Sequence, residues 1–117
     1  MQLIMFKSKI HRATITGADL NYEGSIGISE DLIKASGLIP NEKVDIYNIN
    51  NGERFSTYVI VEPANSGQIT LNGAAARLAI PGDKVIIVAY GVMNQEDIKN
   101  HKPKIVVVDD NNKIIKK

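Results

Sequence analysis

Short runs of β-forming residues, cut at close intervals by Gly, Asn, Asp and Pro, constrain the fold of this chain more than any other feature. The runs are Met5–Thr16, Ser25–Ile28, Lys43–Ile49, Glu53–Val61, Gln68–Leu71, Lys84–Val92 and Lys104–Val108. Each is too short for a long helix, and β-branched residues recur along them. Between them stand Asn50-Asn51-Gly52, Ala64-Asn65-Ser66-Gly67, Pro81-Gly82-Asp83 and Asp109-Asp110-Asn111-Asn112, residue types that turn a backbone at low cost. Helical signals are few. Ser29 reads as an N-cap, Glu30 and Asp31 suit the positive end of a helix, and Gly37 reads as its stop, which predicts a helix over Glu30–Ser36. A second short helix is expected over Gln95–Asn100 after Asn94, and a helical turn over Ala74–Leu78 after Asn72-Gly73. So little helix cannot cover the faces of a layered α/β sheet, and a small closed barrel is the expected solution.

Composition narrows the function. At 117 residues the chain suits one domain that buries roughly two-thirds of its unfolded surface. Fourteen basic and 13 acidic side chains give a net charge of +1 with no block of either sign, which argues against a nucleic-acid footprint. The absence of cysteine excludes disulfides, thiolate metal sites and cysteine nucleophiles. His11 and His101 stand far apart without ligand spacing, so no metal site is expected. Leu3-Ile4-Met5-Phe6 is too short for a signal peptide core, and no apolar run approaches the roughly 18 residues of a membrane span. A soluble cytoplasmic protein without membrane partners is the expectation.

The segment Leu20-Asn21-Tyr22-Glu23-Gly24-Ser25-Ile26 carries the one dipeptide with reactive potential. Glycine can be held in backbone conformations closed to other residues. Given a strained Gly24 peptide and an oxyanion donor, the Ser25 hydroxyl can attack the carbonyl before it. The ester so formed eliminates across Cα–Cβ of Ser25 and hydrolyses. The chain then breaks after residue 24, and the downstream piece begins with a pyruvoyl group. Gly-Ser is also an ordinary turn dipeptide, so its neighbours decide its meaning.

Four segments in register resemble the pyruvoyl-dependent aspartate decarboxylases. They are Lys7-Ser8-Lys9-Ile10-His11-Arg12-Ala13-Thr14-Ile15-Thr16, the Leu20–Ile26 stretch, Asn51-Gly52-Glu53-Arg54-Phe55-Ser56-Thr57-Tyr58 and Leu71-Asn72-Gly73-Ala74-Ala75-Ala76-Arg77. The likeness runs from about the sixth residue to Lys102-Pro103, and the termini carry little signal. It implies a double-psi β-barrel with short helices, assembled as a homotetramer with sites between subunits. It implies decarboxylation of L-aspartate to β-alanine and CO2, feeding the synthesis of pantothenate and coenzyme A. The proenzyme would be a single domain over 1–117, cut into 1–24 and 25–117. Its cofactor would be a pyruvoyl group made from Ser25, which takes the aspartate amine as a Schiff base, with no pyridoxal phosphate. The alternative is a non-catalytic barrel of the same fold that serves as a binding or regulatory module.

Strand alternation places Lys7, Lys9 and His11 on one face of the first strand. Lys7 reads as part of a solvated, Lys-rich edge that blocks strand addition. The resemblance assigns Lys9 to the substrate carboxylates, while His11 reads as either a hydrogen-bonded wall or a proton shuttle. Arg54 and Tyr58 share a face four residues apart. A guanidinium fork matches a carboxylate, and a phenol can return a proton after CO2 leaves. The resemblance gives Thr57 the Gly24 carbonyl during self-processing, with a further part in substrate binding. Alternation aims Thr57 away from Arg54 and Tyr58, so either the strand bulges there or the Gly24-Ser25 segment runs beside it. Asn72, Gly73, Ala74 and Ala75 are expected to bind substrate, Asn72 by its amide and the small residues by close backbone approach at a helix start. Tyr22 lines the pocket or packs in the core.

Overall fold

The computed structural model describes residues 1–117 as nine strands with two short α-helices and one 3₁₀ helix. In chain order the elements are β1 (Leu3–Thr14), β2 (Gly17–Asp19), β3 (Ser25–Ser29), α1 (Glu30–Ser36), β4 (Lys43–Asn48), β5 (Arg54–Glu62) and β6 (Ile69–Asn72). The 3₁₀ helix Gly73–Arg77, β7 (Lys84–Met93), α2 (Gln95–Lys99), β8 (Lys104–Val108) and β9 (Ile114–Lys116) follow. The strands form one mixed sheet in the order β2-β6-β3-β5-β4-β7-β1-β8-β9. Parallel pairs β1/β8, β2/β6 and β3/β5 interleave with antiparallel ones. The fold is mainly β, of the double-psi barrel kind expected, with short helices.

The turn after β1 curls this sheet on itself. The Ile15 N–H donates to Asp83 O at 2.9 Å beside β7, while the Thr16 N–H donates to Ile69 O at 2.8 Å on β6. Ile69 N–H returns a bond to Thr16 Oγ1 at 3.0 Å. One short segment thus ties strands that lie far apart in the sheet order. Inside, Ile10, Ile15, Ile26, Ile28, Leu32, Ile46, Leu71 and Ile87 meet in a single continuous apolar cluster. Alternate residues of β4 enter it, as Val44, Ile46 and Asn48 are buried and their neighbours are not.

Local chemistry explains most boundaries. Gly37 ends α1 with φ +76° and donates its N–H to Ile33 O at 3.0 Å, a left-handed stop that glycine takes without a Cβ penalty. Asn94 and Asp97 form a reciprocal capping box at α2. Two expectations need correction. The strand expected over Met5–Thr16 forms as β1 two residues earlier, over Leu3–Thr14, and a separate β2 beyond it, unsignalled in sequence, pairs with β6. Nor is the Lys-bearing strand an edge, because β1 lies between β7 and β8. Lys7 is half-buried there and pairs with Glu42 at 2.5 Å. The edge reading fails because partners from distant sequence, Lys104–Val107, pair with Ser8–His11.

Candidate active site

The Gly24-Ser25 peptide sits where β3 meets β5 and β6. Ser25 pairs across the antiparallel ladder with Asn72 and is 1% exposed. Its hydroxyl accepts a hydrogen bond from Asn72 Nδ2 at 3.0 Å and donates to Glu23 O at 3.3 Å. Asn72 is itself buried, so the amide is held in place and shielded from water.

Gly73 brings the two segments together. Its φ is +66°, and a Cβ built there would lie 2.7 Å from Gly24 Cα and 2.8 Å from Gly24 N. Only glycine combines that conformation with that contact. Gly24, by contrast, is outside the positive-φ region, and a Cβ there would come no closer than 4.0 Å to Asn72 O. The conformation closed to other residues therefore belongs to Gly73 and not to Gly24 as the sequence suggested.

The strand β5 passes alongside. Ile26 registers with Val59 in the parallel β3/β5 pair, and continuing that register backward sets Ser25 and Gly24 beside Tyr58 and Thr57. The β4/β5 register runs without a shift from Tyr47↔Arg54 to Lys43↔Tyr58, so β5 has no bulge. Alternation holds, and of the two explanations for Thr57 the second applies: the Gly24-Ser25 segment runs beside the strand. Gly24, Phe55, Ser56, Thr57, Tyr58, Ala74, Ala75 and Leu78 line one cleft of about 380 Å³. Phe55, Ser56 and Leu78 were missed in sequence, although Phe55 and Ser56 lie within the third quoted segment. The helical turn after Asn72 is a 3₁₀ helix of five residues. That is too short to build much of a macrodipole, so any anion binding there rests on individual N–H groups.

Other expected residues stand apart. Arg54 lines an adjoining cleft of about 210 Å³ with Asp45, Tyr47, Phe55 and Ser56. Tyr22 is 59% exposed, which removes it from the core. It lines a third cleft of about 260 Å³ that shares Asn72, and its backbone O would lie 3.1 Å from a Cβ on Gly73. Lys9 and His11, half-buried on β1, line none of these clefts. His11 Nδ1 is buried without a hydrogen-bond partner. Burial, then the charges of Lys9 and Arg12, hold the imidazole below its ordinary pKa. The largest depression, about 540 Å³ around Asn65, Gly67 and Asn112, lies elsewhere. There Asn112 Nδ2 donates to Gly67 O and Asp31 accepts from the Asn65 N–H, each at 2.8 Å.

Comparison with known proteins adds an independent line. A family model described as aspartate decarboxylase matches residues 1–115. The chain is similar to an aspartate 1-decarboxylase of Caldicellulosiruptor saccharolyticus, with 62% identity over 99% of this chain and 91% of that protein. A Ralstonia nicotianae protein of that name is 57% identical over 97% of this chain and 95% of its own length. One from Maricaulis maris is 53% identical over 100% and 97% respectively.

Proposed function

The chain belongs to the aspartate decarboxylase family, and on that premise we propose that it is an aspartate 1-decarboxylase that makes its own pyruvoyl group from Ser25. The observation that carries this reading is the buried Ser25 hydroxyl, held by Asn72 beside a Gly24 backbone that only a glycine at 73 can approach. Attack of Ser25 Oγ on the Gly24 carbonyl carbon breaks the amide C–N bond and leaves an ester with a free amine on residue 25. Thr57 donates to the carbonyl oxygen as charge develops there. Loss of the Ser25 Cα proton expels the Gly24 carboxylate. Water then replaces the residue-25 nitrogen, which leaves as ammonia, and the new ketone heads the 25–117 piece.

That ketone, once formed, supplies the electron sink for loss of CO2 from an amino acid. The remaining work falls to the chain's side chains and backbone. Arg54 takes one carboxylate of L-aspartate, and Thr57 with the Gly73–Ala75 backbone fixes its position. Tyr58 donates the proton that completes β-alanine. Lys9 supplies a second positive charge. Because it lines none of the clefts beside Gly24, Arg54 and Asn72 in its own chain, it comes from a neighbouring copy in a homotetramer. Tyr22 borders the site, and no step is assigned to His11, which lines none of these clefts in its own chain. The product feeds pantothenate and so coenzyme A synthesis in the cytoplasm.

The experiment is intact mass combined with a β-alanine assay. Wild type is expected as fragments 1–24 and 25–117, active on aspartate, with Ser25→Ala an uncut and inactive chain. An uncut wild-type chain without turnover would favour the binding-module reading. Active but uncut protein would refute the pyruvoyl route.

A further inference from the structure

We infer that Tyr47 is a positioning residue for aspartate recognition, holding the Arg54 guanidinium over its ring. This rests on the assignment of Arg54 to a substrate carboxylate. Tyr47 and Arg54 are direct cross-strand partners in the β4/β5 ladder. The guanidinium carbon stands 3.8 Å from the Tyr47 ring centroid, well within cation–π range. The ring is itself pinned. Its hydroxyl donates to Asp45 Oδ2 at 3.4 Å and, since a carboxylate only accepts, receives the Tyr90 hydroxyl at 2.7 Å. Burial and the contacts with Tyr90 and Asp45, against a lowering by Arg54, push the Tyr47 phenol up to about 12, so the ring stays neutral at physiological pH.

Arg54 enters none of the four ion pairs of the chain. Its five donors are therefore free of a carboxylate, although Asp45 lines the same cleft. Stacking occupies a π face and leaves the in-plane N–H fork for a ligand. It also restricts a long, exposed side chain before substrate arrives, which lessens the rotamer entropy lost on binding. The Tyr90–Tyr47–Asp45 chain keeps both the ring and the Asp45 carboxylate engaged. A ring that only filled space on the sheet surface would need none of these contacts.

The test uses the mature, cleaved enzyme. Succinate serves as a dicarboxylate probe because, lacking an amine, it cannot condense with the ketone. Tyr47→Leu is expected to raise the aspartate KM and the succinate inhibition constant together by about three- to tenfold with kcat held, the range of a lost cation–π contact. Tyr47→Phe should rescue most of that rise, and Tyr90→Phe, which removes only one of the two hydroxyl contacts, should lie between wild type and Tyr47→Phe. Intact mass must show normal cleavage in each. Arg54→Lys is the reference. If it raises both constants while Tyr47→Leu leaves them at wild-type values, Tyr47 has no positioning role and the Arg54 assignment stands. If Arg54→Lys changes neither, the assignment fails and this inference falls with it. A Tyr47→Phe variant as impaired as Tyr47→Leu, or a loss confined to kcat, would also overturn it.

Discussion

Gly73 has a backbone duty that no side chain can share. In Gly73→Ala the new methyl would meet Gly24 at 2.7 Å, and a left-handed φ costs an L-residue about 1–2 kcal/mol. The expected outcome is a folded protein of modestly lower stability that cleaves slowly, seen on a gel time course against wild type. On the proposed assignment, Thr57 and Tyr58 divide their work in time. Thr57→Val deletes the hydroxyl assigned to the Gly24 carbonyl, and losing one oxyanion donor typically slows a step by about 10²–10³-fold. Tyr58→Phe should cleave normally yet form β-alanine poorly. If Thr57→Val matures at the wild-type rate while Tyr58→Phe stays uncut, the two roles are reversed.

At the scale of elements, closure of the barrel depends on polar residues at turns as well as on the core. Asn112, buried at φ +61° in the turn between β8 and β9, accepts from the Thr14 N–H at 2.7 Å and donates to Thr14 O at 2.8 Å. Its second amide hydrogen goes to Gly67 O. A single side chain thus fastens the end of β1 to the loop before β6. Asn112→Ala would strand these groups and put alanine in a left-handed conformation, a loss of about 2–4 kcal/mol. Thermal unfolding at matched protein concentration should show a clear fall in Tm for Asn112→Ala and one at least as large for Asn112→Asp, whose second carboxylate oxygen would face the Thr14 and Gly67 carbonyls to which the amide donates. A Tm unchanged in both would mean that solvent replaces the bonds without cost. The sequence marked this turn from Asp109 to Asn112 but gave no sign of what it ties down.

For the whole molecule, one chain sets the Ser25–Asn72 pair next to a cleft lined by Gly24, Thr57 and Tyr58, while Lys9 and His11 on β1 lie off that cleft. The proposed tetramer supplies what is missing. Lys9→Ala and Ser25→Ala should each be inactive alone, the first for want of a substrate contact and the second for want of the ketone. Co-expressed, they should recover activity, since a hybrid can place an intact Lys9 against an intact residue-25 site. Sedimentation should find four chains together. A fully active monomer, or mixed variants with no recovery, would contradict sites shared between copies.

What the sequence determined by itself was local. Alternation put Arg54 and Tyr58 on one face and Thr57 on the other, and β5 keeps that order. Gly37, Asn94 and the Asn50–Gly52 turn act over a few residues, so their chemistry is legible before folding. The β4–β5 hairpin across that turn could even have disclosed Tyr47 opposite Arg54, because a short turn nearly fixes register. The tertiary structure alone decided the pairings between remote segments. Ser8–His11 beside Lys104–Val107 turned a presumed edge into an interior strand. Gly17–Asp19 became a strand only by finding β6. Ser25 opposite Asn72, and Gly24 against Gly73, brought the candidate site together. Such pairings depend on how the closed sheet satisfies every strand at once, and that condition is written in no single stretch of residues.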